Sequence, residues 1–395
     1  MKVGILSREP DSYSTRRLKK AAERRGHEVE VLDTLKFAIM TERNRPKLYY
    51  EDRRMKGFDA IIPRVGASIT FFGTAVVRQF EQMGVFTLNA SHAITISRDK
   101  LRSLQVLSRH DIGMPPTAFA RHKSSVLPVI RRLGGAPVIV KVLEGTQGVG
   151  VILADTDKTA QAIVETLQSA RQNVLVQKFV AESRGRDIRA IVVGGRVVAA
   201  MRRVATGEEF RSNVHRGGRT ENVILSPEYE RTAIHAAQIL GLRAAGVDML
   251  ESSDGPQVME VNSSPGLEGV EKATGIDVAD AILEHIEDQV LFPEVDVRQR
   301  LTLEKGYTIT EFQVPPDFPL LDMTLEESGL DARDVRVLSI QRGSVVIPNP
   351  GGRERILLGD VLLCYGKSLT LKTLIPKDHA GRRRREREQE ESEGE

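Results

Sequence analysis

The chain has no tryptophan, one cysteine, and aromatic residues at only 5% of its positions. A single cysteine cannot close an internal disulfide, which fits a reducing, cytoplasmic compartment. Cys364 lies in the apolar run Val361-Leu-Leu-Cys-Tyr365, where a buried core thiol is expected and not a nucleophile. No stretch approaches the roughly 18 apolar residues a membrane helix needs. The chain enters a strand-like Met1-Lys-Val-Gly-Ile-Leu6 with no signal-peptide pattern, so no membrane association is expected. An excess of one charge is also missing: 57 Lys and Arg face 54 Asp and Glu, leaving +3. Direct nucleic-acid binding is therefore not expected.

What is present is enough apolar residue, 40%, for real cores in a chain of 395 residues. Strand and helix signals alternate at first: strands Lys2–Leu6, Glu28–Leu32, 59–63 and 85–88, with helices over 15–25 and 71–83. That rhythm predicts a parallel sheet covered by helices. Arg64 and Gly66-Ala-Ser68 follow the C-terminal end of a strand, where open α/β sheets place ligands. From Ser97 the pattern changes to an α+β one. A helix over 99–109 precedes closely spaced strands at 137–143, 149–153, 173–179, 188–193 and 196–200, with helices over 158–170 and 228–240. Gly194-Gly195 marks a hairpin between the last two strands. Residues 291–301 read as a linker, 302–376 as a small α/β unit, and 377–395 as a charged tail too poor in apolar residues to fold.

The strongest chemical signal is a hairpin, Gly246-Val-Asp-Met-Leu-Glu251 and Gln257-Val-Met-Glu-Val-Asn262, joined by Ser252-Ser-Asp-Gly-Pro256. A turn centred on Asp254 sets Asp248 opposite Glu260, with Cβ atoms about 5 Å apart. Asn262 then shares their face. Two carboxylates and an amide oxygen are hard ligands suited to Mg or Mn, and side by side they would repel without a cation. The alternative is three solvated polar residues on an open sheet face. Glu144-Gly-Thr-Gln-Gly-Val-Gly150 follows a strand carrying Lys141, a lysine among Val and Ile that needs an anion if buried. That loop is neither a P-loop nor a dinucleotide fingerprint. Lys100, Arg189 and Arg203 are further cations, and Arg211-Ser-Asn-Val-His-Arg-Gly-Gly218 is an anion-suited loop. Its His215 is read as a hydrogen-bonding loop residue, not a general base.

Taken together, Asp99-Lys100, Lys141, Val176-Gln-Lys-Phe-Val180, Asp187-Ile-Arg189, Arg211-Ser-Asn213 and Asp248…Glu260-Val-Asn262 resemble the ATP-grasp family. Phe210–Gly218 and Met259–Gly269 resemble its RimK-type α-L-glutamate ligases, which extend the C-terminus of a small-subunit ribosomal protein. The resemblance covers about residues 1–290. It implies a pre-ATP-grasp domain over 1–97 and a catalytic domain over 98–290. It also implies Lys100 and Lys141 on ATP phosphates, Gln177, Lys178 and Phe179 at the adenine hinge, and Asp187 toward the ribose. Arg211, Ser212 and Asn213 would face the phosphates, with Arg203, Arg211 and Asn213 serving catalysis. Asp248, Glu260 and Asn262 would hold about two Mg or Mn ions. Lys178 departs from the family's usual Glu, which leaves nucleotide preference open. The implied partners are L-glutamate and a ribosomal-protein C-terminus. The alternatives are another peptide or cofactor acceptor, or an ATP-binding regulator with vestigial catalysis. Pro319–Gly329, Ser339–Pro350 and Leu357–Gly366 resemble a TrkA-C domain, implying dimerisation or a small-molecule regulator.

Overall fold

In the computed structural model the strand Lys2–Leu6 lies between Glu28–Leu32 and Ala60–Pro63, and Phe86–Thr87 completes a four-stranded, wholly parallel sheet. Its central strands are near-continuous apolar runs because helices cover both faces. The structure describes residues 1–43, 46–143, 150–206, 218–291, 307–343 and 345–374. Helix Tyr13–Arg24 starts at Ser12, whose hydroxyl accepts the Thr15 N–H. A small antiparallel sheet, Phe37–Met40, Lys47–Tyr50 and Arg53–Arg54, was not expected. It packs Phe37 edge-on against Tyr50 and Phe80.

The helix expected over 99–109 forms as Lys100–Leu107 and is preceded by an unexpected helix, Ser91–Arg98. Asp99 separates them with extended backbone and accepts the Arg102 N–H at 3.0 Å. Two antiparallel sheets follow. One has the order Val151–Ala154, Val138–Val142, Val174–Lys178, Thr117–Ala118, with helices Lys123–Arg132 and Asp157–Ser169 packed together over it. The other has the order Arg219–Asn222, Arg196–Val204, Arg186–Val193, Ala244–Ser252, Gly255–Asn262. Gly194 and Gly195 turn between its central strands with φ of +58° and +77°, a conformation only glycine adopts freely.

Val3, Ile5 and Leu18 from the parallel-sheet layer share one core with Ile191, Leu283 and Ile286. Ion pairs reinforce that junction, Arg24 meeting Asp277 and Asp280, and Arg25 meeting Asp280 and Glu287. Asn89 ties the layers more tightly. Its amide donates to the Ala244 and Ser263 carbonyls at 2.7 and 2.8 Å and accepts from the Arg243 and Ala244 N–H groups. Asn89→Ala leaves three buried backbone groups and one partly buried one without that partner, and we expect it to lower stability by about 3–5 kcal/mol. A shifted urea midpoint with an unchanged slope is the check.

The chain divides into two compact units near residue 293. The second is a four-stranded antiparallel sheet ordered Tyr307–Gln313, Val361–Lys367, Val335–Arg342, Val345–Pro348. Phe312, Ile340 and Leu362 form its core, and burial pushes the Cys364 thiol up to about 12, as fits a packing residue. No helix among the described residues is long and apolar enough to cross a membrane.

Candidate active site

A cleft of about 1390 Å³ opens between the parallel-sheet layer and the two antiparallel sheets. Among the described residues it is lined by Arg64, Arg98, Lys100, Lys141, Lys178, Arg186, Arg189, Arg203 and Lys272, against Glu9, Asp187, Asp248, Glu260 and Glu268. Nine cations against five acids suit a polyanionic ligand.

One wall is the end of the first antiparallel sheet. Lys141 donates to Gln177 Oε1 at 2.6 Å, and Gln177 Nε2 donates to the Thr117 hydroxyl at 2.7 Å. The lysine is half-buried with no carboxylate bonded to it among the described residues. Loss of water around it lowers its pKa to about 8, Glu260 opposing and Lys100 adding to the effect. Lys100 begins its helix and donates to the Leu143 carbonyl at 3.1 Å, and burial lowers its pKa too. Lys178 is exposed, and its backbone N–H is taken by the Pro116 carbonyl at 2.9 Å. Phe179 lines the cleft beside it.

The opposite wall carries the carboxylates. Asp248 and Glu260 are register partners, as expected, and Asn262 lies two residues on. The turn is not centred where that expectation put it. Ser252 pairs with Gly255 around a two-residue loop, and a bulge at Met259 restores the Asp248–Glu260 pairing. The cation Asp248 needs is supplied by protein. Arg189 makes two bonds of 2.6 Å to its carboxylate and Arg203 a third at 2.9 Å. The expected repulsion without a metal therefore does not arise at Asp248. Burial alone would raise the Asp248 pKa, but Arg189 and Arg203 hold it below the usual carboxylate range.

Arg203 also grips both oxygens of Asp187, its register partner in the neighbouring strand. Asp187, Arg203 and Asp248 are 1%, 5% and 4% exposed. Burial opposes the Arg203 charge, yet Asp248 and Asp187 raise its pKa above the ordinary value. Asp187 lines the cleft, but with both oxygens engaged by Arg203 it is not an open acceptor. Glu260 is the exposed acid of the set, and it acts on Lys100, Lys141 and Arg98 through space.

Lys100, Lys141, Gln177, Lys178, Phe179, Asp187, Arg203, Asp248, Glu260 and Asn262 all line this one cleft. Arg211, Ser212, Asn213 and His215, and loop residues 144–149, lie outside the described residues. Arg98 was not singled out from sequence. It closes the unexpected helix Ser91–Arg98, whose one signal is the apolar pair Ala93-Ile94 before the Asp99 cap.

Three family descriptions match the chain: the RimK PreATP-grasp domain at residues 1–94, the RimK-like ATP-grasp domain at 97–286 and the TrkA-C domain at 309–377. A protein of Rhodopirellula baltica named "Probable alpha-L-glutamate ligase" is 60% identical over 97% of this chain and 95% of its own. "Probable alpha-L-glutamate ligase 1" of Hahella chejuensis is 56% identical over 73% of this chain and 95% of its own. Among solved structures, the ATP-grasp ligase PsnB complexed with a variant of its minimal precursor, Mg and ADP has a TM-score of 0.58 at 21% identity, covering 73% of this chain and 98% of that one. A RimK domain ATP-grasp protein of Sphaerobacter thermophilus has a TM-score of 0.55 at 24% identity, covering 73% of this chain and all of that one. These structures share the fold of the first unit. With a 60% identical relative matched along nearly its whole length, this chain belongs to the RimK-type α-L-glutamate ligases of the ATP-grasp family, enzymes that form carbon–nitrogen bonds between acids and amino acids.

Proposed function

We propose that this ligase uses ATP and Mg to activate the terminal carboxylate of a peptide as an acyl phosphate and then joins L-glutamate to it. The observation that carries the reading is the cationic cleft lined by both Lys100 and Lys141 and the Asp248–Glu260 hairpin. Gln177, Lys178 and Phe179 form the adenine end, with Lys141 held over the cleft by Gln177. Lys100 and Lys141 neutralise phosphate oxygens, and the family resemblance assigns Arg211, Ser212 and Asn213 to the same phosphates. The donor set fits a hard cation. Glu260 and Asn262 offer side-chain oxygens that make no hydrogen bond with any other described residue, whereas both Asp248 oxygens are bonded by Arg189 and Arg203 and would reach a cation only in place of one of those bonds. Asp248, Glu260 and Asn262 would hold Mg or Mn, which supplies positive charge to the transferring phosphoryl group.

A carboxylate resists attack by an amine until one oxygen becomes a leaving group. Transfer of the γ-phosphoryl supplies that, ADP departs, and the amine of glutamate displaces phosphate to form the amide. This chain contributes position and charge, without a covalent nucleophile. Arg203, held by Asp187 and Asp248, stabilises the charge that develops at the acyl phosphate, and Asp187 keeps it aimed. We read the acceptor as a protein C-terminus, a small-subunit ribosomal protein being the leading case. A peptide acceptor is supported by the PsnB structures, which contain a precursor peptide. The TrkA-C domain is read as a dimerisation or ligand-sensing module.

Hydroxylamine tests the intermediate. Added to enzyme, ATP, Mg and acceptor without glutamate, it should convert the acceptor's terminal carboxylate to a hydroxamate visible by mass spectrometry. An unmodified acceptor, with glutamyl hydroxamate forming once glutamate is supplied in a parallel reaction, would reverse the direction of activation.

A further inference from the structure

At the C-terminal ends of the parallel strands, the cleft holds two arginines that the nucleotide reading does not use. Arg64 follows strand Ala60–Pro63 and donates to the Pro265 carbonyl at 2.7 Å. Arg98 ends helix Ser91–Arg98 and donates to the Val65 carbonyl, while its buried Nε meets no acceptor. Among the described residues neither guanidinium forms an ion pair with a carboxylate. Glu9 acts on Arg64, and Glu260 on Arg98, only through space. This sets them apart from Arg189 and Arg203, which bond the Asp187 and Asp248 carboxylates directly.

Each arginine is fixed by a bond to a main-chain carbonyl, so its orientation is set without using up its charge. Burial lowers the Arg64 pKa to about 10, with Arg98 adding to the effect and Glu9 opposing it, and burial lowers the Arg98 pKa against the pull of Glu260. Two neighbouring cations in poor contact with water, with donors to spare, are the arrangement a planar anion relieves. Their place in the cleft narrows the choice of anion. Lys141 and Gln177, assigned above to phosphate and adenine, are on the first antiparallel sheet. Arg64 and Arg98 line the same cleft from other elements, the end of strand Ala60–Pro63 and the end of helix Ser91–Arg98. An anion held by both arginines is thus met by other elements than the sheet that would hold the nucleotide.

We infer that Arg64 and Arg98 form a carboxylate subsite that orients a substrate of the ligation, as distinct from the nucleotide. The inference rests on the ligase reading above. The chemistry is shared by glutamate and by the acceptor's terminus, and kinetics separates them. In Arg64→Lys and Arg98→Lys the charge remains but the fork is lost. Each variant should raise KM for one carboxylate substrate roughly ten- to a hundredfold, with KM for ATP within about twofold of wild type. A rise confined to glutamate assigns the subsite to the incoming amino acid, and a rise confined to acceptor assigns it to the terminus. Unchanged KM for both, or a parallel rise for ATP, overturns the inference. Should either variant fail to fold, phenylglyoxal labelling of the wild-type chain decides. Glutamate or acceptor should protect Arg64 and Arg98 when ATP alone does not, and protection by ATP alone contradicts the subsite. Wild-type protein that shows no turnover with glutamate would refute the ligase reading and the subsite with it. Turnover with normal KM in both variants refutes the subsite alone.

Discussion

Asp248→Ala should abolish ligation and also destabilise the fold, and the two losses come from different partners of one carboxylate. The substitution removes a hard oxygen from the proposed metal set, for which we expect turnover to fall by at least about a thousandfold. It also strands Arg203, 5% exposed, with Asp187 as its one remaining acid, and leaves Arg189 facing no carboxylate at that site. Breaking a buried ion network from one side costs about 3–5 kcal/mol. Glu260→Gln separates the effects, because Glu260 is exposed and has no protein partner among the described residues. It should lose turnover comparably while its unfolding midpoint stays within about 0.5 kcal/mol of wild type. If Glu260→Gln retained full activity at limiting Mg, the hairpin would not be the metal site.

Lys141 gives the second large effect, and it carries a pH signature. Burial holds its pKa to about 8, whereas the unfolded chain keeps that proton to about 10.5. Between those values the unfolded state binds more protons, so the stability cost of Lys141 shrinks as pH rises through that window. Phosphate binding favours the charged lysine. ATP affinity should therefore decline from about pH 8 upward, by as much as tenfold per unit until the bound-state pKa is reached. Binding near pH 8.5 should also take up a proton, seen as a dependence of calorimetric heat on buffer ionisation. Lys141→Met should weaken ATP binding by roughly ten- to a hundredfold at neutral pH and remove both signatures. Its fold should be at least as stable as wild type to within about 1 kcal/mol, because the charge it deletes has no carboxylate partner. A variant that keeps the proton uptake would place the titration elsewhere, Lys100 being the next group to examine.

These expectations depend on contacts that were unevenly visible in the sequence. Strand and helix positions follow from apolar periodicity and turn residues, and the parallel layer, the Gly194-Gly195 turn and the Asp248–Glu260 pairing were legible at that level. The arginine partners were not. Counting back from the two-residue turn at Gly194-Gly195 sets Asp187 opposite Arg202, but an irregularity between Ile191 and Val192 shifts the register and brings Arg203 there instead. One residue of slip reverses the face of every side chain beyond it. The bulge at Met259 acts on the second hairpin in the same way, and there it restores the pairing that a miscentred turn would have lost. Arg189 reaches Asp248 across strands more than fifty residues apart, a neighbour relation set by sheet order and not by spacing. Asn89 and Arg98 act on carbonyls contributed by other elements, which sequence pattern does not encode.

The central claim is that one cleft couples ATP consumption to joining glutamate with a carboxylate acceptor. Its most direct test is ADP release by the full chain with Mg and ATP, measured with glutamate and acceptor peptide together and with each left out, while the acceptor's intact mass is followed. Sustained ADP release is expected only when both are present, matched mole for mole by glutamyl additions to the acceptor. ADP release indifferent to glutamate, or an acceptor of unchanged mass despite ATP consumption, would contradict it.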